Sequence, residues 1–215
     1  LKLYGSIYRN LERNYMEPQQ ITELVTRNDN DSRRLLFETF YNRTYAIVYT
    51  ILRRRENAED ITQDAFIKAF NNIGQLHDPA KFGAWLAVIA SNLARNFLKR
   101  EKKIFLTNEL PQINLSSDHN STEETALENM EIAKIRKAIR LLPTEHYQVV
   151  VLQYFYDLKV EEIAKLLKIK VGTVKSRLFR ARQNLAKLLE LDSDGNCLHI
   201  KGGDQELCQE RENQK

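Results

Sequence analysis

The sequence predicts an all-α protein: two small helical domains joined by a flexible acidic linker. Three observations lead there. Gly and Pro are scarce, 7 and 4 in 215 residues, which disfavours turn-rich β folds. Apolar residues recur at helical spacing wherever the chain is patterned, and strand-like alternation never persists. A polar, acidic stretch without periodicity interrupts that pattern midway. With 42% hydrophobic and 29% charged residues, the chain is expected to fold rather than stay disordered. No run approaches the roughly 18 apolar residues of a membrane span, so membrane insertion is not expected. The two cysteines both fall near the C-terminus and cannot staple the body. With no apolar leader and small-residue cleavage site near the start, the expected compartment is the reducing cytoplasm.

The first patterned helix begins at Ser32, with Leu35, Leu36, Phe40, Ile47, Val48 and Ile51 at helical spacing. The run Arg53-Arg54-Arg55 and Asn57 break it. A second helix carries Ile61, Ala65, Phe66, Ala69, Phe70 and Ile73; Gly74 can end it, and Asp78-Pro79 signals a turn or a new start. A third stripe runs Phe82, Trp85, Leu86, Ile89, Ala90, Leu93, Phe97 and closes in a basic cluster, Arg95, Lys99, Arg100, Lys102, Lys103. These three helices share enough apolar surface for one core, which assigns 32–104 to a first domain and 1–31 to an extension. The extension carries little pattern, and translation could begin at Leu1 or at Met16. Residues 105–127 read as linker. Beyond it Ile132, Ile135, Ile139 and Leu142 form a stripe, and Pro143 stops that helix or opens the next. Three segments follow: Val149 to Tyr154, Val160 to Leu167, and Val171 to Leu189. They make a second domain over 128–190, expected to bury its own core. The tail, 191–215, is acidic and expected to be disordered.

Net charge is +4, but its distribution is uneven. No Lys or Arg stands between Lys103 and Lys134, while Glu109, Asp118, Glu123, Glu124, Glu128 and Glu131 do. From Ile163 to Leu189 the chain carries Lys165, Lys168, Lys170, Lys175, Arg177, Arg180, Arg182 and Lys187 and no acid. A basic block bounded by acidic segments points to a polyanionic partner.

That block coincides with a short helix, a tight turn and a longer basic helix. Ile163, Ala164 and Leu167 supply the inner face of the first; Val174, Leu178 and Leu185 that of the second. Ala164 is small enough to let the helices cross closely. This is a helix-turn-helix arrangement. Its second helix would leave Lys175, Ser176, Phe179 and Arg180 outward to touch base edges in a major groove, with Arg177, Arg182 and Lys187 near phosphates. A solvated basic helix in a bundle is the competing reading; the acid-free block on this frame favours DNA.

The run Gly172-Thr173-Val174-Lys175-Ser176-Arg177-Leu178 with Arg180-Ala181-Arg182 resembles region 4 of bacterial sigma-70 factors of the extracytoplasmic-function (ECF) group. Leu142-Pro143, Glu162-Ile163-Ala164 and Leu167 fit its preceding part. Ala58-Glu59-Asp60-Ile61-Thr62-Gln63-Asp64-Ala65-Phe66 and Phe82-x-x-Trp85-Leu86-x-x-Ile89-Ala90-x-Asn92 are similar to region 2. The resemblance covers about 35–104 and 128–189. It implies a promoter-specificity subunit acting at stress- or signal-responsive promoters. Its partners would be core RNA polymerase and promoter DNA, and could include an anti-sigma factor. Asp60, Gln63, Asp64 and Phe66 would grip the polymerase, although Phe66 could equally be core. The loop Gly74–Phe82, with Lys68, Asn92, Asn96, Lys99 and Arg100, would read and open the −10 element. Trp85 could stack on a base, but its place in the stripe favours core. Lys175, Ser176, Arg177, Phe179 and Arg180 would read the −35 element.

Two features depart from the pattern. The helix-turn-helix turn is Lys168-Ile169-Lys170 where the family usually has Gly, so Lys168 adopts a left-handed conformation or the turn differs. The tail carries Cys197, His199 and Cys208, a weak match to a metal or redox site against an unstructured acidic tail. No cofactor is expected. No phosphate-cradling loop, nucleophile elbow or HExxH appears, so catalysis is not expected either. The alternative function is a stand-alone helix-turn-helix regulator; the surface from Asp60 to Phe66 discriminates, because such a regulator has no reason to present it to polymerase.

Overall fold

A computed structural model describes residues 16–105, 134–135 and 137–190. Those residues are helical apart from turns. Helix α1 (Pro18–Arg27) starts with proline at its first position, and the Glu17 amide donates to Gln20 Oε1 at 3.3 Å. It ends at Asn28, in the left-handed region. Ile21 and Val25 on α1 join the first core. This helix precedes the expected start at Ser32, so part of the expected extension belongs to the bundle. Its stripe is short and sits among polar residues, which hid it.

Helix α2 (Asn30–Leu52) is capped by Asp29, whose carboxylate accepts from the Ser32 amide at 2.8 Å. The bond from Ser32, with help from Arg27, holds this carboxyl well below its ordinary range. Arg53 ends α2 in the left-handed region and Arg54 is extended, so the arginine run is the break. Helix α3 (Arg55–Asn71) follows. Two 3₁₀ turns, Ile73–Gln75 and Pro79–Lys81, form the loop to α4 (Phe82–Phe105). The Ala80 amide donates to Asp78 Oδ1 at 3.2 Å, so Asp78-Pro79 does start a turn.

The first core is built by α1 to α4. Leu36, Phe40 and Val48 of α2 meet Ala58, Ala65, Phe66 and Ala69 of α3 and Phe82, Leu86, Ala90 and Ala94 of α4. Phe82 is fully buried, with ring centroids 5.5 Å from Phe40 and 6.1 Å from Phe70. Trp85 packs on this core, half-buried, as its stripe indicated.

The linker, 105–127, lies beyond the described residues except at its first position, and the tail lies wholly outside them. In the second half, a helical stretch over 137–140 leads to α5 (Thr144–Tyr154), which Pro143 opens. Then come α6 (Val160–Leu167) and α7 (Val171–Glu190). Helix α5 buries Tyr147 through Leu152, six consecutive residues, so it is covered all round. Helices α6 and α7 cover one side with Ile163, Ala164, Val174, Leu178 and Ala181. Ile47 of α2 and Ala84, Ala87 and Val88 of α4 belong to the same cluster. The sequence reading expected the second half to bury its own core; instead it borrows a wall from the first.

Candidate functional site

Three solvent-facing sets of side chains stand on three helices. On α3, Asp60, Gln63 and Asp64 are exposed, and the spacing 60, 63, 64, 67 keeps them on one side. Phe66 does not join them. It is 2% exposed and lies 4.7 Å, ring to ring, from Phe37 of α2 and 5.9 Å from Phe70. The apolar member of this face is Ile67, 58% exposed. Spacing from Asp60 and Asp64 could have found it. The assignment of Phe66 to a partner surface is thus corrected: α2 covers it.

Along α2 runs a ladder of half-buried tyrosines, Tyr41, Tyr45 and Tyr49, packed on the first core. Tyr45 stacks on Tyr41 at 6.2 Å and on Tyr49 at 5.9 Å. Burial, then the charge of Glu59, pushes the Tyr45 phenol above its ordinary pKa. The i, i+4, i+8 spacing of these tyrosines was the sequence signal for them. Lys68, also exposed, follows Asp64 by one turn of α3.

On α4, Asn92, Asn96, Lys99 and Arg100 are exposed, and their spacing gathers them on one side of the helix. A separate stripe of α4, Phe82, Leu86, Ala90 and Ala94, faces the first core. In the preceding loop, Gln75 Nε2 donates to Asn72 Oδ1 at 3.0 Å. Lys81 lies 3.3 Å from Asp78 and also pairs with Glu162 of α6.

On α7, Lys175, Ser176, Phe179 and Arg180 are exposed, Phe179 by 44%. Val171, 37% exposed, adds an apolar residue at the helix start that helical spacing alone did not single out. The Ser176 hydroxyl donates to the Thr173 carbonyl at 3.0 Å. Arg177 sits apart from this outer set. Half-buried, its Nη2 donates to Glu145 Oε2 at 2.7 Å, so it braces α7 against α5. Arg182 does likewise, donating from Nε to the Tyr154 hydroxyl at 3.3 Å. Burial, then Arg180, holds His146 below the ordinary imidazole pKa, so it adds no charge beside this helix near neutrality. The turn before α7 takes the first of its two expected forms. Lys168 is left-handed (φ 56°, ψ 44°), and the Ile169 amide donates to the Ala164 carbonyl at 3.0 Å. Ile169 packs on the second core, which holds the turn although no glycine relieves Lys168.

Among the described residues no cluster of His, Cys, Asp or Glu could hold a metal, and no helix is long and apolar enough to cross a membrane. Cys197, His199 and Cys208 lie outside them.

Comparison with known proteins matches both halves. The sigma-70 region 2 family covers residues 36–104 and the sigma-70 region 4 family residues 132–185. The ECF RNA polymerase sigma factor SigW of Bacillus subtilis is 32% identical over 77% of this chain and 92% of its own length. The RNA polymerase sigma-H factor of Pseudomonas aeruginosa is 31% identical over 81% of this chain and 94% of its own. In fold, the chain is similar to the sigma factor RpoE solved with the anti-sigma factor NepR from Bartonella quintana. That likeness has a TM-score of 0.59 at 21% identity and covers 74% of this chain and 98% of that one. CnrH, solved with the cytosolic domain of CnrY, gives a TM-score of 0.55 at 21% identity, covering 81% and 99%. A stand-alone regulator would have no reason to match region 2 as well as region 4. The chain therefore belongs to the sigma-70 family of RNA polymerase sigma factors, in its extracytoplasmic-function group, and serves transcription initiation.

Proposed function

We propose that the chain docks core RNA polymerase through the α3 face of Asp60, Gln63, Asp64 and Ile67, and selects promoters through two DNA faces. On α4, Asn92, Asn96, Lys99 and Arg100, with Lys68 of α3, take the −10 element. The amides can read the edge of an unstacked base, and the cations hold the single strand's phosphates. On α7, Lys175, Ser176, Phe179 and Arg180 read the −35 element in the major groove. Arg177 acts by positioning α7. The protein lends specificity and carries out no catalysis of its own; it works in the cytoplasm beside polymerase, at stress- or signal-responsive promoters, and an anti-sigma factor is a fitting regulator. The boundaries 32–104 and 128–190 mark the two working parts. One observation carries this reading: Lys68 apart, each set of candidate contacts falls on one exposed side of one helix, within a half that matches the corresponding sigma region.

The test is in vitro transcription with purified core polymerase and genomic fragments. Wild type is expected to start transcripts at discrete promoters. Asp60→Ala/Gln63→Ala should fail by losing polymerase, and Lys175→Ala/Arg180→Ala by losing the promoter. Promoter-specific transcription that survives either double substitution would sink the corresponding assignment.

A further inference from the structure

Beside the seat of α5 on α4, the chain leaves a cavity of about 590 Å³. Volumes of about 300–1,000 Å³ are those that enclose small organic ligands. The turn after α5 supplies one wall. Asp157 is left-handed (φ 48°), a conformation that Asp tolerates, and the Leu158 amide donates to the Leu152 carbonyl at 3.1 Å. This bend brings Phe155, Tyr156 and Leu158 to the cavity, where Ile21 of α1 and Phe40 of α2 complete an apolar lining. Gly83, at the start of α4, lines it too. A Cβ there would stand 2.5 Å from the Phe40 ring and 3.0 Å from that of Tyr156, so only glycine leaves both rings room.

The polar part of this lining is left unbalanced. Glu162 is satisfied, by its clasp with Lys81 and by the Lys159 amide at 2.8 Å. Arg43 is not: half-buried, its guanidinium makes no ion pair or hydrogen bond among the described residues. The Tyr156 hydroxyl has no hydrogen-bond partner among them either. Burial pushes this phenol up to about 12, against the pull of the Arg43 charge, so near neutrality it remains a proton donor. A cation drawn partly out of water without a counter-charge costs free energy that a bound anion relieves. We propose that the cavity is a binding site for a small organic anion, an apolar ring or chain that bears a carboxylate. The carboxylate accepts from the Arg43 guanidinium, whose planar fork matches it, and from the Tyr156 hydroxyl. The apolar body lies against Ile21, Phe40 and Phe155. Three cations, Arg43, Lys81 and Lys159, line the cavity against two acids, Asp157 and Glu162, which favours a negative ligand. None of the lining residues belongs to the docking and promoter faces proposed above, so the site stands or falls apart from them.

The test is calorimetric titration of the full chain with 2-naphthoate and with its neutral counterpart, 2-naphthamide. Naphthoate should bind roughly tenfold more tightly, the gain expected of a charge-assisted contact. Arg43→Gln should erase that preference and leave naphthamide binding as it was. Tyr156→Phe, which removes one hydroxyl and no packing, should weaken naphthoate roughly threefold; it decides the matter even if Arg43→Gln fails to fold. Arg34→Gln removes an exposed cation of the same helix, one paired with Glu38, and should change nothing. No binding of naphthoate, equal affinity for acid and amide, or a preference that survives Arg43→Gln would each overturn the proposal. So would a preference that Arg34→Gln removes equally, the mark of overall charge rather than of a site.

Discussion

The two halves solve the same problem differently. The first closes its core from its own sequence: α1 to α4 bury Leu36, Phe40, Phe66, Phe82 and Leu86 among themselves. In the second, α5 is buried all round. Helices α6 and α7, with Ile139 and Leu142 from before α5, do not complete the core, which takes Ile47, Ala84, Ala87 and Val88 from the first half. The difference teaches that a domain boundary in sequence need not bound a core. A half that stands alone can serve as a platform. A half that borrows a wall has an apolar face which must always be against something.

The sharpest way to test the first half is at neighbouring positions of α3. Phe66→Ala should lower stability by about 3–5 kcal/mol, read by chemical unfolding, because a buried ring leaves a cavity. Ile67→Ala should stay within about 0.5 kcal/mol yet weaken polymerase binding roughly tenfold in a pull-down titration. Equal stability losses at both sites would erase the distinction drawn between core and docking face. A smaller effect is expected where the halves meet. Ala87→Leu should overpack the seat and cost about 1–3 kcal/mol. Its unfolding should separate into two transitions, the first half melting as before. A single transition at lower denaturant would mean that Ala87 belongs to the first core after all. Elsewhere on the second half, Lys175→Ala/Arg180→Ala should leave folding intact and narrow the preference for −35 DNA over scrambled duplex about tenfold, read by competition titration. An unchanged preference with a log–log salt slope lower by about 0.9 per phosphate would move both residues from base edges to the backbone.

The mildest effect is on pH. The bond from Lys81, then that from the Lys159 amide, lowers the Glu162 pKa, while the bond to Glu162 raises that of Lys81. A carboxyl held below its unfolded value stabilises the fold above that value, about 4.3, and loses this as pH falls. A raised amine contributes below its unfolded value, about 10.4, and loses this as pH rises. The clasp should therefore be fully made from about pH 5 to 10 and loosen on either side, read by energy transfer between labels on the two halves. Loosening centred near pH 7 would point to another group.

Much of this molecule was legible in its residues. Period 3.6 located α2, α3 and α4, and it located α6 and α7; α5 was found as an apolar run from Val149 after Pro143. Asp78-Pro79 and Pro143 marked true starts, and the acid-free block from Ile163 fell on the helix-turn-helix. These are local properties, set by spacing along one chain segment. The resemblance to sigma regions 2 and 4 rested on the same local runs. What tertiary structure decided was which side of each helix met a neighbour. Phe66 stands at the edge of its stripe, and only the arrival of Phe37 makes it core and leaves Ile67 outside. Arg177 reads as one more cation of a basic helix until Glu145 takes it. Helix α1 counts as part of the bundle only because Ile21 and Val25 find a core across the chain. The seat of α5 on α4 belongs to the same class. Spacing states that a face is apolar; the partner that covers it is a matter of packing, decided between segments distant in sequence.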